Sequence, residues 1–130
     1  MTPEPHWKEQ PEEHDFPAAF AFLSLLLAPD VARILVDKLK MEARSGDIPT
    51  RKAKDLLRAS GLELLERSNA HVDHDLKKIE DGEKLSPVLL VANDSDWPAK
   101  LVVADGYHRI CASYWIDENT DIPCVISRFR

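Results

Sequence analysis

Leu101-Val102-Val103-Ala104 runs without a linker into Asp105-Gly106-Tyr107-His108-Arg109, and that pentad into Ile110, Cys111, Tyr114 and Trp115. The first segment is apolar and β-branched, the pattern of a buried strand. The last carries apolar residues at helical spacing. Strand and helix must therefore meet at the pentad. Gly106 permits the sharp bend, and the first N–H groups of the following helix point outward without intrahelical acceptors. The pentad also breaks a local rule. A His and an Arg in a first helical turn oppose the macrodipole, which favours cations at the other end. Such conflicts concentrate at functional or strained sites. Asp105 alone is explained as an N-cap, with Arg109 lying exposed over the surface. A bound anion accounts for His108 and Arg109 as well.

The rest of the chain sets bounds. Its 130 residues make one domain, large enough for a core without disulfides or a structural metal. With 44% hydrophobic and 31% charged residues, neither a disordered chain nor a membrane protein is indicated. A net charge of −6 argues against a broad nucleic-acid surface, which needs clustered Lys and Arg. Cys111 and Cys124 each lie in an apolar pattern and read as buried, reduced thiols. The N-terminus is polar and Pro-rich, unlike a targeting segment, so the expected location is the cytoplasm. Phe16 to Ala28 is nearly continuous apolar sequence, shorter than the roughly 18 residues that mark a membrane span. It reads as a buried helix.

Along the chain, residues 1–13 are expected to form a flexible N-terminal arm, and 14–130 a single domain with a helical part over 14–66 and a core over 67–130. Asp15 is placed as a cap with Pro17 in the first turn. Asp30 is placed as the cap of a second helix with Val31, Ile34, Leu35 and Leu39 inward, ended by Gly46. Thr50 is placed as the cap of a third, with Ala53, Leu56 and Leu57 inward and Gly61 as its stop. The opposite face, Arg51, Lys52, Lys54 and Arg58, is a solvated surface or a small phosphate-facing patch. A short helix capped by Asp73 carries Leu76 and Ile79 inward and ends at Gly82. Then the period changes. Pro87 to Val91 is a strand, 93–100 a polar loop, Leu101 to Ala104 an antiparallel neighbour, and Ile122 to Ser127 a last strand with Pro123 at its start or on an edge. The fold class is α+β: a helical N-terminal half packed on a small ββαβ sheet. The last two strands are expected in one sheet, joined as a parallel pair by a right-handed crossover through the 107–117 helix.

At the turn, an anion would meet the N–H groups of Gly106 and Tyr107 and the fork of Arg109. His108 titrates near neutrality and suits proton relay. Asp105 suits Mg²⁺ beside phosphates. Tyr107 stacks on a base or sugar, or fills space. Asn69 and His71, in the irregular stretch before the short helix, are further candidates. His71 and His74 alone are a weak metal signature. No GxxxxGK[ST], GxGxxG or GxSxG motif occurs.

From Asp75 to Val125 the sequence resembles the ParB/sulfiredoxin superfamily. The resemblance is carried by Gly82-Glu83-Lys84-Leu85-Ser86-Pro87-Val88, by Asp105-Gly106-Tyr107-His108-Arg109 and by Ile122-Pro123-Cys124-Val125. It implies a small α/β domain like that of small bacterial ParB-like proteins. Tyr107 stands where sulfiredoxins carry the catalytic cysteine, so their reductase chemistry is not implied. Chromosome-partitioning ParB proteins use Gly-Glu-Arg-Arg at this turn to bind CTP; of these only Gly106 and Arg109 are shared. The superfamily's free serine kinases have Asp-Gly-x-His-Arg, matched by Asp105, Gly106, His108 and Arg109.

The reading that follows is a protein binding a nucleotide or other phosphorylated small molecule at the turn. Gly106, Tyr107 and Arg109 bind phosphate, and Asp105 and His108 are the catalytic pair of a Mg²⁺-dependent phosphoryl transfer or nucleotide hydrolysis. The alternative is a non-enzymatic regulatory or interaction protein with a vestigial site, expected to expose an apolar patch on the Phe16–Leu27 helix. Nuclease activity follows only from a label common in the superfamily, and the acidic balance counts against it.

Overall fold

Val88-Leu89-Leu90-Val91 is buried throughout, because both faces of the strand it forms are covered. In this computed structural model, which describes residues 3–93 and 101–129, the elements run β1 (His6–Trp7), α1 (Asp15–Leu26), α2 (Pro29–Arg44), β2 (Thr50–Lys52), α3 (Ala53–Ser60), α4 (Ala70–Glu80), β3 (Lys84–Leu85), β4 (Val88–Asn93), β5 (Leu101–Asp105), α5 (Tyr107–Ile116) and β6 (Asp121–Phe129). The class is α+β. Four strands make the main sheet in the order β2-β6-β4-β5, and β1 pairs with β3.

The pleat divides the core in two. Val88, Leu90, Val103, Ile122 and Cys124 face α3, α4 and α5. Leu89, Val91, Ala104 and Val125 face α1 and α2. Alternate residues of a strand point to opposite faces, so one run of apolar sequence supplies both cores. The helical first half is thus split across the sheet, not stacked on one side of it.

The pairing of β4 with β5 is antiparallel, as expected, while β4 and β6 are parallel. β5 and β6 share the sheet but run antiparallel, with β4 between them. The expected parallel crossover through α5 is therefore corrected: that handedness rule governs parallel strands. Pro123 precedes the first pair with β4, which begins at Cys124, so its missing N–H costs that ladder nothing.

Other boundaries move for local reasons. Thr50 does not cap α3; Thr50–Lys52 forms an exposed edge strand along β6, and α3 starts at Ala53. Pro29, with its fixed φ, begins α2 one residue before Asp30. Ile34 is exposed while Ala32, Leu35, Val36 and Leu39 are buried. Asp15 is the first residue of α1 and is buried, accepting hydrogen bonds from Ser86 Oγ and the Glu12 amide. α1 is not wholly buried: Phe22, Leu25 and Leu26 are exposed. In its described part the N-terminal arm is tied down, with His6–Trp7 paired to Lys84–Leu85 and Lys8 N donating to Leu85 O at 2.8 Å. Of the expected polar loop, 94–100 lies outside the described residues. Among the described residues no helix is long and apolar enough to cross a membrane.

Both cysteines are fully buried. Burial pushes the Cys124 thiol up to about 12 and raises Cys111 as well. Thiolate is the reactive form. Neither residue is expected to react with an alkylating reagent at pH 8 until urea unfolds the chain; rapid native labelling of Cys111 would show an accessible thiol beside the turn.

Candidate functional site

The turn is shaped by a bulge. Leu89 pairs with Asp105 but Leu90 pairs with Val103, which leaves Ala104 as the extra residue of β5. A bulge bends its strand and re-aims the side chain that follows, here Asp105. Gly106 then takes φ +115° and stands at the N-cap of α5. It offers no side chain as a cap, and the first helical bond runs from Ile110 N to Gly106 O at 3.0 Å. The amides of Tyr107, His108 and Arg109 have no intrahelical acceptor.

α4 faces this turn. Asn69, not Asp73, is its cap, with Oδ1 accepting from His71 N at 3.0 Å and Val72 N at 3.2 Å. His71 is consequently in the first helical turn and not in a loop. His71, His74 and Asp75, at i, i+3 and i+4, fall on one helix face. With Asp105, Gly106, His108 and Arg109 they line a cavity of 140 Å³. The pocket is open to solvent and has room for a tetrahedral oxyanion. The rings of His71 and His108 lie 4.7 Å apart, and those of Tyr107 and His108 stack at 5.7 Å.

Arg109 is not the exposed side chain that its position suggests. Only 16% of it is exposed, against 22% of Asp105, and its Nη2 donates to Asp105 Oδ2 at 3.0 Å. The buried Nε has no partner among the described residues. Burial raises the Asp105 carboxyl; Arg109 opposes the shift, and buried Asp15, packed beside it, adds to it. Burial also raises Asp75, against the pull of Arg109, Lys78, His74 and His108. His108 is lowered, by burial first and then by His71, with Asp75 opposing. The lowering favours the neutral ring, the form able to accept a proton.

The structure brings Asp105, Gly106, His108, Arg109 and His71 to one cavity. Tyr107 does not line it; its hydroxyl donates to Glu63 O, and with Trp115 Nε1 on Leu65 O it pins the 61–69 segment to α5. Asn69 is used as a cap. Arg51, Lys52, Lys54 and Arg58 do not line the cavity, and Lys52 and Arg58 pair with Asp121 and Asp55. Asp75 is the residue that sequence reasoning missed. The helical spacing of His71, His74 and Asp75 was the signal, hidden by the misplaced cap. A larger cleft of 540 Å³, between Glu4–Trp7 and the α5–β6 connection, is lined by Asp117, Asn119 and Asp121 but by no cationic or histidine side chain. Among the described residues no group of three or more His, Cys, Asp or Glu is arranged to hold a metal ion.

Keeping Asp75 ionised against burial costs stability. A carboxyl raised in the folded state contributes stability that is full below its unfolded pKa and lost as pH rises through the folded value. Asp75→Asn is therefore expected to unfold at a higher temperature than wild type at pH 7. The two should converge below about pH 4. Thermal melts at both pH values test this, and a variant less stable at pH 7 would show that the carboxylate is a structural partner.

Comparison with protein-family models, with curated proteins and with solved structures finds no match to this chain.

Proposed function

We propose that this chain is a small ParB/sulfiredoxin-like protein that binds a nucleotide or another phosphate-bearing ligand at the 105–109 turn. One observation carries the reading. The uncapped N-terminus of α5, the Arg109 guanidinium, whose Nε has no partner among the described residues, and the His71–His108 pair converge on one open pocket with room for a phosphate group. The amides and Arg109 stabilise phosphate charge. The sugar and base of a nucleotide extend outside the cavity.

In the catalytic form of this proposal, neutral His108 takes the proton of the phosphate acceptor. Magnesium usually binds through one or two carboxylates, waters and substrate phosphates. Asp105, one of whose oxygens is held by Arg109, would hold magnesium arriving with a nucleotide through its other oxygen, and the metal would screen charge on the transferring phosphate.

The test is a thermal-shift screen with nucleotides and phosphorylated metabolites, with and without Mg²⁺. A ligand at 100 times its Kd stabilises the native state by about 2.7 kcal/mol. A hit that is lost in His108→Ala and Arg109→Lys supports the site, and release of phosphate from the hit supports catalysis. No shift with any ligand would overturn the proposal. The second reading, an interaction protein, rests on another observation: Leu25 is 84% and Leu26 56% exposed on α1.

A further inference from the structure

The charges around the cavity do not suit an arbitrary anion. Asp75 and Asp105 line it, and Asp15 lies beside Asp105. One guanidinium, that of Arg109, acts on Asp75 and Asp105, while Asp15 is held by Ser86 and lies against His14. His71, His74 and His108 complete the lining, and Lys78 acts on Asp75 from its own helix. A fully ionised tetrahedral dianion such as sulfate would set a bare oxygen against the Asp75 carboxylate, lone pair against lone pair. A phosphate oxygen that carries a proton turns the same contact into a hydrogen bond, with the ligand as donor. Short charge-assisted O–H···O⁻ bonds of this kind are among the stronger ones. Donors come from the same lining: the Arg109 guanidinium and the His108 and Arg109 amides of the first turn of α5.

Resting on the phosphate-site reading above, we infer that the cavity selects oxyanions that bear a proton, hydrogen phosphate or a singly protonated phosphate monoester, with Asp75 accepting that proton in a hydrogen bond. Asp75 takes this role because one oxygen of Asp105 is already held by Arg109. No metal is required for this mode. Sulfate, of nearly the same size and shape, is rejected for want of a proton. Arsenate, which keeps its proton at neutral pH, is accepted.

The experiment is calorimetric titration of the protein at pH 7 in EDTA with phosphate, arsenate and sulfate, repeated on Asp75→Asn. Wild type is expected to bind phosphate and arsenate at least about tenfold more tightly than sulfate, the size of effect an unsatisfied buried acceptor produces. In Asp75→Asn the amide N–H₂ can donate to a bare oxygen, so the preference should fall to within about threefold, mainly by a gain for sulfate. Equal binding of sulfate and phosphate by wild type would overturn the inference and leave the phosphate site standing. Phosphate binding that appears only with Mg²⁺ would overturn it too, because the carboxylates would then be metal ligands. Binding of none of the anions, with or without Mg²⁺, would remove the phosphate-site reading itself. Should Asp75→Asn fail to fold, the wild-type ratio alone decides.

Discussion

Gly106→Ala is expected to lose about 3 kcal/mol or more of stability, or not to fold. A Cβ on Gly106 would stand 2.5 Å from Val88 Cγ1, 2.9 Å from Val88 Cβ and 2.9 Å from Arg109 Nη2. The φ of +115° is itself one that L residues rarely adopt. Val88 cannot retreat. It is fully buried in β4, the strand held between β5 and β6, and it pairs with Cys124. Arg109 can move only by breaking its pair with Asp105. Gly61→Ala is the control. Its φ of +68° is also left-handed, but a Cβ there meets nothing within 4 Å, so about 1 kcal/mol is expected. Urea unfolding of both variants tests the contrast. Equal, small losses would mean that the turn relaxes to admit a Cβ at position 106.

The strands and the turn were legible because their signals are local. Pro87 to Val91 and Leu101 to Ala104 are unbroken apolar runs, and the glycines at 61 and 82 stop helices where φ turns positive. Thr50-Arg51-Lys52 was not legible. An edge strand with all three residues exposed has no alternation to read, and Thr50 resembles a cap. Strand order was not legible either, since no local pattern states that β6 lies between β2 and β4. The site was half visible. Asn69 and Asp73 are both good caps four residues apart, and choosing the second left His71 in a loop and hid the face that it shares with His74 and Asp75. Arg109 was misjudged for a different reason. Its long stem folds back one helical turn to Asp105, and the sequence alone does not distinguish that from a stem spread over the surface.

Because Arg109 is mostly buried against Asp105, Arg109→Ala is expected to lose stability as well as ligand affinity. Removing the guanidinium leaves Asp105 half-buried beside buried Asp15 with no cation against it. Breaking one side of a mostly buried pair is strongly destabilising because the other charge is left uncompensated, and about 2 kcal/mol or more is expected here at pH 7. The sign of the pH dependence follows. Asp105 is already raised by burial and by Asp15, with Arg109 holding it down, so the variant raises it further. A raised carboxyl costs stability once ionised; the loss sets in as pH climbs through the folded value and is absent below the unfolded one. The deficit of Arg109→Ala should therefore be largest near neutrality and shrink toward about pH 4. Arg109→Ala combined with Asp105→Asn should be less damaged than Arg109→Ala alone, since the amide carries no charge to strand. Arg109→Lys should recover much of the stability through its charge but little ligand affinity, because an ammonium cannot reproduce the planar fork. Urea titrations at pH 7 and pH 4 read the first two outcomes, and phosphate titration reads the third. If Arg109→Ala proves as stable as wild type at pH 7, the pair with Asp105 contributes nothing to the fold, and the cation is held in place for what it binds.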